Sequence, residues 1–303
     1  MAIGPPLLFA LPGSQEFGER LAVALDAEIG ELSTREFPDG ESYVRLETDP
    51  AGREVCVVAT LPHPNEKILP LLFVTGAARQ LGAARVGIVA PYLAYMRQDA
   101  RFHPGEAITA RLFARIIDGA ADWLLTVDPH LHRIASLDEL YTIPATAVHV
   151  TGPIGAWISA NVSQPLIVGP DEESRQWVTR VAESAGAPFV VLAKVRRGDE
   201  RVDVTLPELA GVDGRTPVLV DDIISTGRTL LAAVQLLREH HPELPPPVCV
   251  GVHALFSRGA YEELRSAGAA RVVSTNSVPH PSNAIDIVPT VANALRAAPV
   301  GFP

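Results

Sequence analysis

Residues Val218–Leu230 read VLVDDIISTGRTL. Three apolar residues of strand type, Val218, Leu219 and Val220, end in two adjacent acids, Asp221 and Asp222. After a short linker comes Ser225-Thr226-Gly227-Arg228-Thr229, which runs into the helical pattern Leu230-Leu231-Ala232-Ala233-Val234. A buried parallel strand delivers its C-terminal end to the crevice where open α/β sheets collect ligands. A hydroxyl- and glycine-containing loop at a helix N-terminus offers N–H groups and hydroxyls to a phosphate. Carboxylates beside that loop would repel an anion, so they must serve sugar hydroxyls or Mg²⁺ instead. Together these parts read as a site for a phosphorylated pentose. An ordinary strand–turn–helix with one capping residue is the plainer reading, but the doubled acid followed by STGRT suits it poorly.

The stretches outside this segment set the frame. A chain of 303 residues is long for one open α/β domain and comfortable for two. Hydrophobic content of 47% with 20% charged residues is globular. Apolar runs are short and broken, which leaves no membrane span, and residues 1–12 lack the pattern of a secretory signal. A cytoplasmic enzyme is the default expectation. Cys56 and Cys249 sit in the strand-like runs VCVVA and VCVGV, so buried reduced thiols are expected, with neither a zinc site nor a disulfide framework. The net charge of −10 opposes nucleic-acid binding, which needs a basic footprint. Any nucleotide must be held by local cations, because salt screens the global field over roughly 10 Å.

Strand-like runs (Val55–Ala59, Val86–Ala90, Leu124–Val127, Ala145–Val150, Leu166–Val168, Val190–Ala193, Val218–Val220, Val248–His253, Val272–Ser274) alternate with helical patterns. The latter include Ile68–Leu81, Thr109–Ile117, Ile154–Ala160, Arg175–Ala185 and Leu230–Arg238. That alternation predicts an α/β fold, with parallel sheets flanked by helices. Nine strands are many for one sheet, so two similar α/β domains are expected, 1–150 and 151–303. The final helix, Val288–Arg296, is available to pack back on the first.

Other constellations gather at strand ends. Phe37-Pro38-Asp39-Gly40-Glu41 reads alone as a hairpin turn; as a site it offers an aromatic face for a base and carboxylates for an exocyclic amine. After Val86–Ala90 comes PYLAYMRQDAR, where Arg97 and Arg101 can bind phosphate oxygens and Gln98 both donates and accepts. Asp128-Pro129-His130-Leu131-His132 points to a metal or phosphate contact, without zinc spacing. In Gly169-Pro170-Asp171, the acid Asp171 is a second candidate metal or sugar ligand, while Glu172 and Glu173 suit a helix N-terminus. Lys194 and Arg196 would face the same way if their strand continues, two cations suited to charge developing in phosphoryl-group transfer.

FPDGE, PYLAYMRQD, DPH, GPD, KVR and VDDIISTGRT, in this order, resemble the ribose-phosphate pyrophosphokinase family over nearly the whole chain, including His253–Ser257 and Ser274–Ser277. The resemblance implies two phosphoribosyltransferase-like domains, each a mainly parallel sheet flanked by helices. It implies transfer of the diphosphoryl group of Mg-ATP to the C1 hydroxyl of ribose 5-phosphate, with ATP on the N-terminal side, ribose 5-phosphate on the C-terminal side, and Mg²⁺ as cofactor. Phe37, Asp39 and Glu41 would hold adenine in the site of a neighbouring subunit, which makes the active enzyme a homo-oligomer. Arg97, Gln98 and His130 would contact ATP, and His130 with Asp171 would lie in the metal and phosphate region. Lys194 and Arg196 would be catalytic, on a mobile loop. Asp221 and Asp222 would bind ribose hydroxyls, and Ser225, Thr226, Gly227, Arg228 and Thr229 the 5-phosphate.

Three stretches depart from the commoner bacterial pattern. Leu131–Glu139 replaces a glutamine- and phenylalanine-containing stretch after DPH, and Glu172-Glu173-Ser174 replaces two glycines after GPD. Both are closer to archaeal-like members. Arg228 stands where glycine or alanine is usual. Two rivals share the last motif: a type I phosphoribosyltransferase, which lacks the FPDGE and YMRQD pair, and a non-catalytic regulatory homologue, against which Lys194, Arg196, His130 and Asp171 all count.

Overall fold

The computed structural model describes residues 4–131, 133–197, 201–205 and 214–298, and of 173, 193–197 and 201–205 the backbone alone. The described chain forms two compact units. One comprises the stretch up to Val148, Ser277–Pro279 and the segment from Val288; the other comprises His149–Asn276 and His280–Ile287.

The first unit contains β1 (Gly4–Ala10), α1 (Gln15–Leu25), β2 (Glu28–Ile29), β3 (Leu32–Glu36), β4 (Ser42–Leu46), β5 (Arg53–Val58), α2 (Ile68–Gln80), β6 (Arg85–Ala90), α3 (Thr109–Ala120), β7 (Trp123–Val127) and β8 (Ala145–Val148). Its sheet runs in the order β2-β1-β5-β6-β7-β8, all parallel, while β3 and β4 form a separate antiparallel hairpin. From Glu54 to Val58, Val86 to Ala90 and Trp123 to Val127 every residue is buried, because helices cover both faces of a parallel sheet. Gly87 pairs with Trp123 in register, and a Cβ at position 87 would fall 1.8 Å from the indole, so only glycine admits this ring. The indole N–H donates to Glu54 Oε1 at 2.8 Å, satisfying a carboxyl whose pKa burial raises.

The second unit contains α4 (Thr151–Asn161), β9 (Pro165–Gly169), α5 (Arg175–Ala185), β10 (Phe189–Val191), β11 (Ala193–Arg197), β12 (Arg201–Thr205), β13 (Thr216–Ile224), α6 (Arg228–His240), β14 (Val248–Ala254), α7 (Ala260–Ser266), β15 (Arg271–Thr275) and β16 (Asn283–Ile285). Its parallel sheet has the order β10-β9-β13-β14-β15-β16. The core beneath β13 includes Leu166, Val168, Leu219, Ile224, Leu230, Val234 and Leu264. The chain then returns to the first unit as α8 (Val288–Ala297), which packs against α1 and donates from Arg296 to the carbonyl of Ala24. The α/β class expected from the alternating pattern is what the structure has, as two parallel six-stranded sheets.

Two expectations need correction. The strand bearing the acid pair does not stop at Val220: β13 runs to Ile224, with Asp221 opposite Gly251 and Ile223 opposite His253 of β14. The pairing with a long, fully buried neighbour overrides the poor strand preference of Asp. The run Val190–Ala193 likewise divides, β10 ending at Val191 and β11 beginning at Ala193 in an antiparallel ribbon with β12.

Candidate active site

In the second unit the geometry is built by β13 and its neighbours. Once β9 has stopped pairing at Leu219, β13 continues beside β14 alone, carrying Asp221 and Asp222 past the edge of β9. The loop Ser225–Gly227 then turns into α6. Gly227 has φ +66° and contacts nothing closer than 3.6 Å from where a Cβ would sit, so its role is conformational. With glycine as the N-cap, no side chain caps the first turn of α6, whose N–H groups point toward the loop. Leu230, Ala233, Val234 and Leu237 anchor that helix in the core. Leu255 N–H donates to Ile224 O at 2.9 Å and Ser257 N–H to Ser225 O at 3.1 Å, so the segment after β14 braces the loop from one side. Thr226 and Arg228 are exposed; Ser225, Gly227 and Thr229 are half-buried.

Burial first, then the carboxylates of Asp222 and Asp171, hold the Asp221 carboxyl well above the usual carboxylate range. Asp171, just beyond β9, therefore shares this acidic region. Its side chain also accepts from Ser174 N–H at 3.2 Å, capping the short turn Glu172–Ser174. Glu172 pairs with Arg175, whose Nη2 donates to it at 2.8 Å, so that acid is engaged at the surface.

In the first unit two strand ends and the hairpin carry the remaining residues. Phe37, Asp39 and Glu41 lie in the β3–β4 turn, where Phe37 N–H donates to Glu41 O at 2.8 Å and Glu41 N–H to Asp39 Oδ1 at 3.3 Å. Phe37 is exposed, and the Arg35 guanidinium stacks 4.4 Å from both the Phe37 and Tyr43 ring centres. Arg97 (exposed) and Gln98 (half-buried) follow β6. Their loop turns at Tyr95, φ +62°, whose ring lies 5.0 Å from Phe113 and whose hydroxyl donates to Asn65. His130 is half-buried beyond β7, following Asp128 at φ +32°.

The backbone of Lys194 and Arg196 belongs to β11, opposite Val204 and Val202, where the resemblance implied a loop. The positions of their side chains, and all of His132, Gly198 and Asp199, lie outside the described residues. The structure thus brings Asp171, Asp221 and Asp222 together in one unit and places Phe37, Asp39, Glu41, Arg97, Gln98 and His130 in the other.

An all-oxygen donor set around Asp221 suits a hard cation such as Mg²⁺. Among the described residues no three His, Cys, Asp or Glu side chains form a ready-made metal cage. The sequence reading passed over Arg35 and Arg133. Arg35 had a usable signal, since it stands two residues before Phe37; on β3 it lies directly across from Tyr43. Arg133 had none.

Two parallel sheets, with an acid-bearing strand, a glycine-turned loop and a helix N-terminus in succession, define an α/β protein of the phosphoribosyltransferase type. Residues 7–120 match the N-terminal domain of ribose phosphate pyrophosphokinase and residues 136–288 the phosphoribosyl transferase domain. The chain is 35% identical to ribose-phosphate pyrophosphokinase of Methanopyrus kandleri, over 96% of this chain and 98% of that one. It is 33% identical to the protein of that name from Methanobrevibacter smithii, over 93% and 97%. Phosphoribosylpyrophosphate synthetase from Mycobacterium smegmatis is a similar solved structure, with a TM-score of 0.84 at 28% identity over 97% of this chain and 98% of that one. The chain belongs to the ribose-phosphate pyrophosphokinase family. No helix among the described residues is long and apolar enough to cross a membrane.

Proposed function

We propose that the protein is a ribose-phosphate diphosphokinase. The C1 hydroxyl of ribose 5-phosphate attacks the β-phosphorus of ATP, the bond from that phosphorus to the α–β bridging oxygen breaks, and AMP leaves. The products are AMP and 5-phosphoribosyl 1-diphosphate. The observation that carries this reading is the Asp221–Asp222 pair leading directly into the uncapped N-terminus of α6, in a chain of this family. Acid for hydroxyls near the end of a strand, with N–H groups for a phosphate at the start of the helix that follows, is the complement of a sugar phosphate.

In this reading Asp221 and Asp222 accept from the ribose hydroxyls, and Ser225–Thr229 hold the 5-phosphate. Arg228, exposed in the first turn of α6, adds a cation near that end. Phe37 stacks on the adenine of a neighbouring subunit, with Asp39 and Glu41 accepting from its amine, so the active form is a homo-oligomer. Arg97, Gln98 and His130 contact the ATP phosphates. Asp171, through its carboxylate oxygens, is the residue proposed to hold Mg²⁺. Bound Mg²⁺ would supply charge neutralisation at the phosphate oxygens. Lys194 and Arg196 stabilise the transferring group, and positioning with electrostatics supplies most of the rate, as in other phosphoryl transfers. The N-terminal domain would serve ATP and the C-terminal domain ribose 5-phosphate.

The test is incubation with ribose 5-phosphate and Mg-ATP, following AMP and the diphosphate sugar by chromatography. Both should appear in equal amounts. No AMP across a range of metals and inorganic phosphate would overturn the proposal, and pyrophosphate released from the diphosphate sugar on adding a base would mark a phosphoribosyltransferase instead.

A further inference from the structure

The stretch Leu131–Glu139, which departs from the commoner family pattern, contains an arginine engaged with the loop that follows β6. Asp99 lies one residue beyond Gln98, and its side chain is only 2% exposed. It accepts twice from one residue, through Oδ2 from the Arg133 N–H at 3.1 Å and through Oδ1 from Arg133 Nη1 at 3.1 Å. The guanidinium, 54% exposed, also lies 5.1 Å from the centre of the Phe102 ring. The segment around Phe102 is itself fixed, since Glu106 Oε2 accepts from Phe102 N–H at 2.8 Å and His103 N–H at 3.0 Å, and Arg101 Nε donates to Glu106 O at 3.0 Å. A carboxylate this buried is tolerated when a cation and N–H donors compensate it. Arg133 supplies both kinds of donor from the loop after β7. One residue thus joins the loop bearing Arg97 and Gln98 to the loop bearing His130.

We propose that Arg133 is a positioning residue, which clips these two loops through Asp99 and so sets the affinity for the phosphorylated nucleotide without taking part in the chemical step. The proposal rests on the functional reading above for the identity of the nucleotide, but the clip itself does not. Arg133→Met keeps the stem and removes the charge; Arg133→Lys restores a cation without the planar fork.

Arg133→Met should raise the KM for ATP roughly ten- to a hundredfold, the scale on which displaced contacts lower productive binding. Both kcat and the KM for ribose 5-phosphate should stay within about twofold, since a group that acts in binding alone leaves the chemical step intact. Arg133→Lys should recover part of the loss. Asp99→Asn should add little once Arg133 is Met, because coupled residues are not additive. A parallel measurement needs no activity: amide hydrogen exchange in the ligand-free protein should quicken across 97–103 in Arg133→Met while α3 stays protected. Unchanged exchange in that segment overturns the clip, whatever the enzyme does. Equal losses in kcat and in both KM values overturn the positioning role, and so does an unchanged KM for ATP. If the wild-type protein forms no AMP while the exchange result holds, the functional reading fails and the clip stands.

Discussion

Asp171 has two jobs in this structure that one pair of substitutions can separate. Its side chain caps the Glu172–Ser174 turn through Ser174 N–H at 3.2 Å, and its charge helps to raise the Asp221 pKa. Asn caps a helical turn about as well as Asp, whereas Ala forfeits about 1 kcal/mol. In a unit of about 150 residues that is a fall in Tm of roughly 2–4 °C. Asp171→Ala should therefore be less stable than Asp171→Asn by this amount. Charge works the other way. Asp221 has a folded-state pKa above its unfolded value, so the stability it contributes is complete below the ordinary carboxylate pKa and is lost as pH rises through the folded one. Removing the neighbouring charge of Asp171 lowers that folded pKa and shrinks the loss. Asp171→Asn should thus match the wild type at pH 4 and equal or exceed it at pH 7, by up to about 1 kcal/mol, the scale of partly exposed charge pairs.

Activity should respond to the charge alone. If Asp171 holds Mg²⁺, both variants should raise the Mg²⁺ concentration for half-maximal rate about ten- to a hundredfold. Urea titrations at pH 4 and pH 7 and a Mg²⁺ titration of the rate read all of this. Asp171→Asn retaining wild-type Mg²⁺ dependence, while Asp171→Ala loses stability and activity together, would reduce Asp171 to a cap. Asp171→Asn proving less stable than the wild type at pH 7 would refute the argument about Asp221.

Lys194→Ala should lower kcat far more than it weakens nucleotide binding, because stabilisation of transferring charge acts in the transition state; equal losses in single-turnover rate and equilibrium affinity would sink that role. Gly87→Ala places a Cβ 1.8 Å from the Trp123 indole and forces the ring off Glu54, so at least about 3 kcal/mol of stability should go, seen as a lower urea midpoint with quenched or shifted tryptophan emission. Cys56 and Cys249 are buried, and burial raises both thiol pKa values, that of Cys249 to about 12. Neither should react with a thiol reagent at pH 8 until denaturant is added, and a fast native phase would contradict their burial.

The sheets were legible because strands buried on both faces read as continuous apolar runs, and β5, β6, β7 and β14 are of that kind. β1 was not legible, although it is paired on both sides. GPPLLFA opens with two prolines, which argue against a central strand. The structure shows how they are accommodated: the β1–β5 register shifts between Gly4 and Leu7, so Pro5 and Pro6 fall in the gap, and Arg53 donates from Nε to Pro5 O at 2.8 Å and from Nη2 to Pro6 O at 3.3 Å. That arginine substitutes for the missing ladder, and no local pattern announces it. Strand ends with phosphate-type loops could be found in the chain for the same reason as the strands themselves. The Asp99–Arg133 pair could not, because thirty-four positions separate partners that meet only across two loops.

Backbone conformation ties these observations together. Three of the regions proposed to touch substrate follow a left-handed residue: Tyr95 at φ +62° before Arg97 and Gln98, Asp128 at φ +32° before His130, and Gly227 at φ +66° before Arg228 and Thr229. Glycine adopts this conformation freely, but Tyr and Asp do so at a cost of order 1–3 kcal/mol each. Something must over-determine them. For Tyr95 the restraints are the Phe113 ring, the bond to Asn65, and Thr109 Oγ1 donating to its carbonyl at 3.3 Å. For Asp128 they include burial and its N–H donating to Val148 O at 2.9 Å. A parallel strand left to itself would carry the chain straight on past the sheet. A left-handed residue at or beyond its end turns the chain instead, and the contacts around Tyr95 and Asp128 hold that turn in place. The rigid sheets and the strained strand ends are therefore one device: the first supplies the surplus of stability that lets the second hold residues where a ligand can meet them.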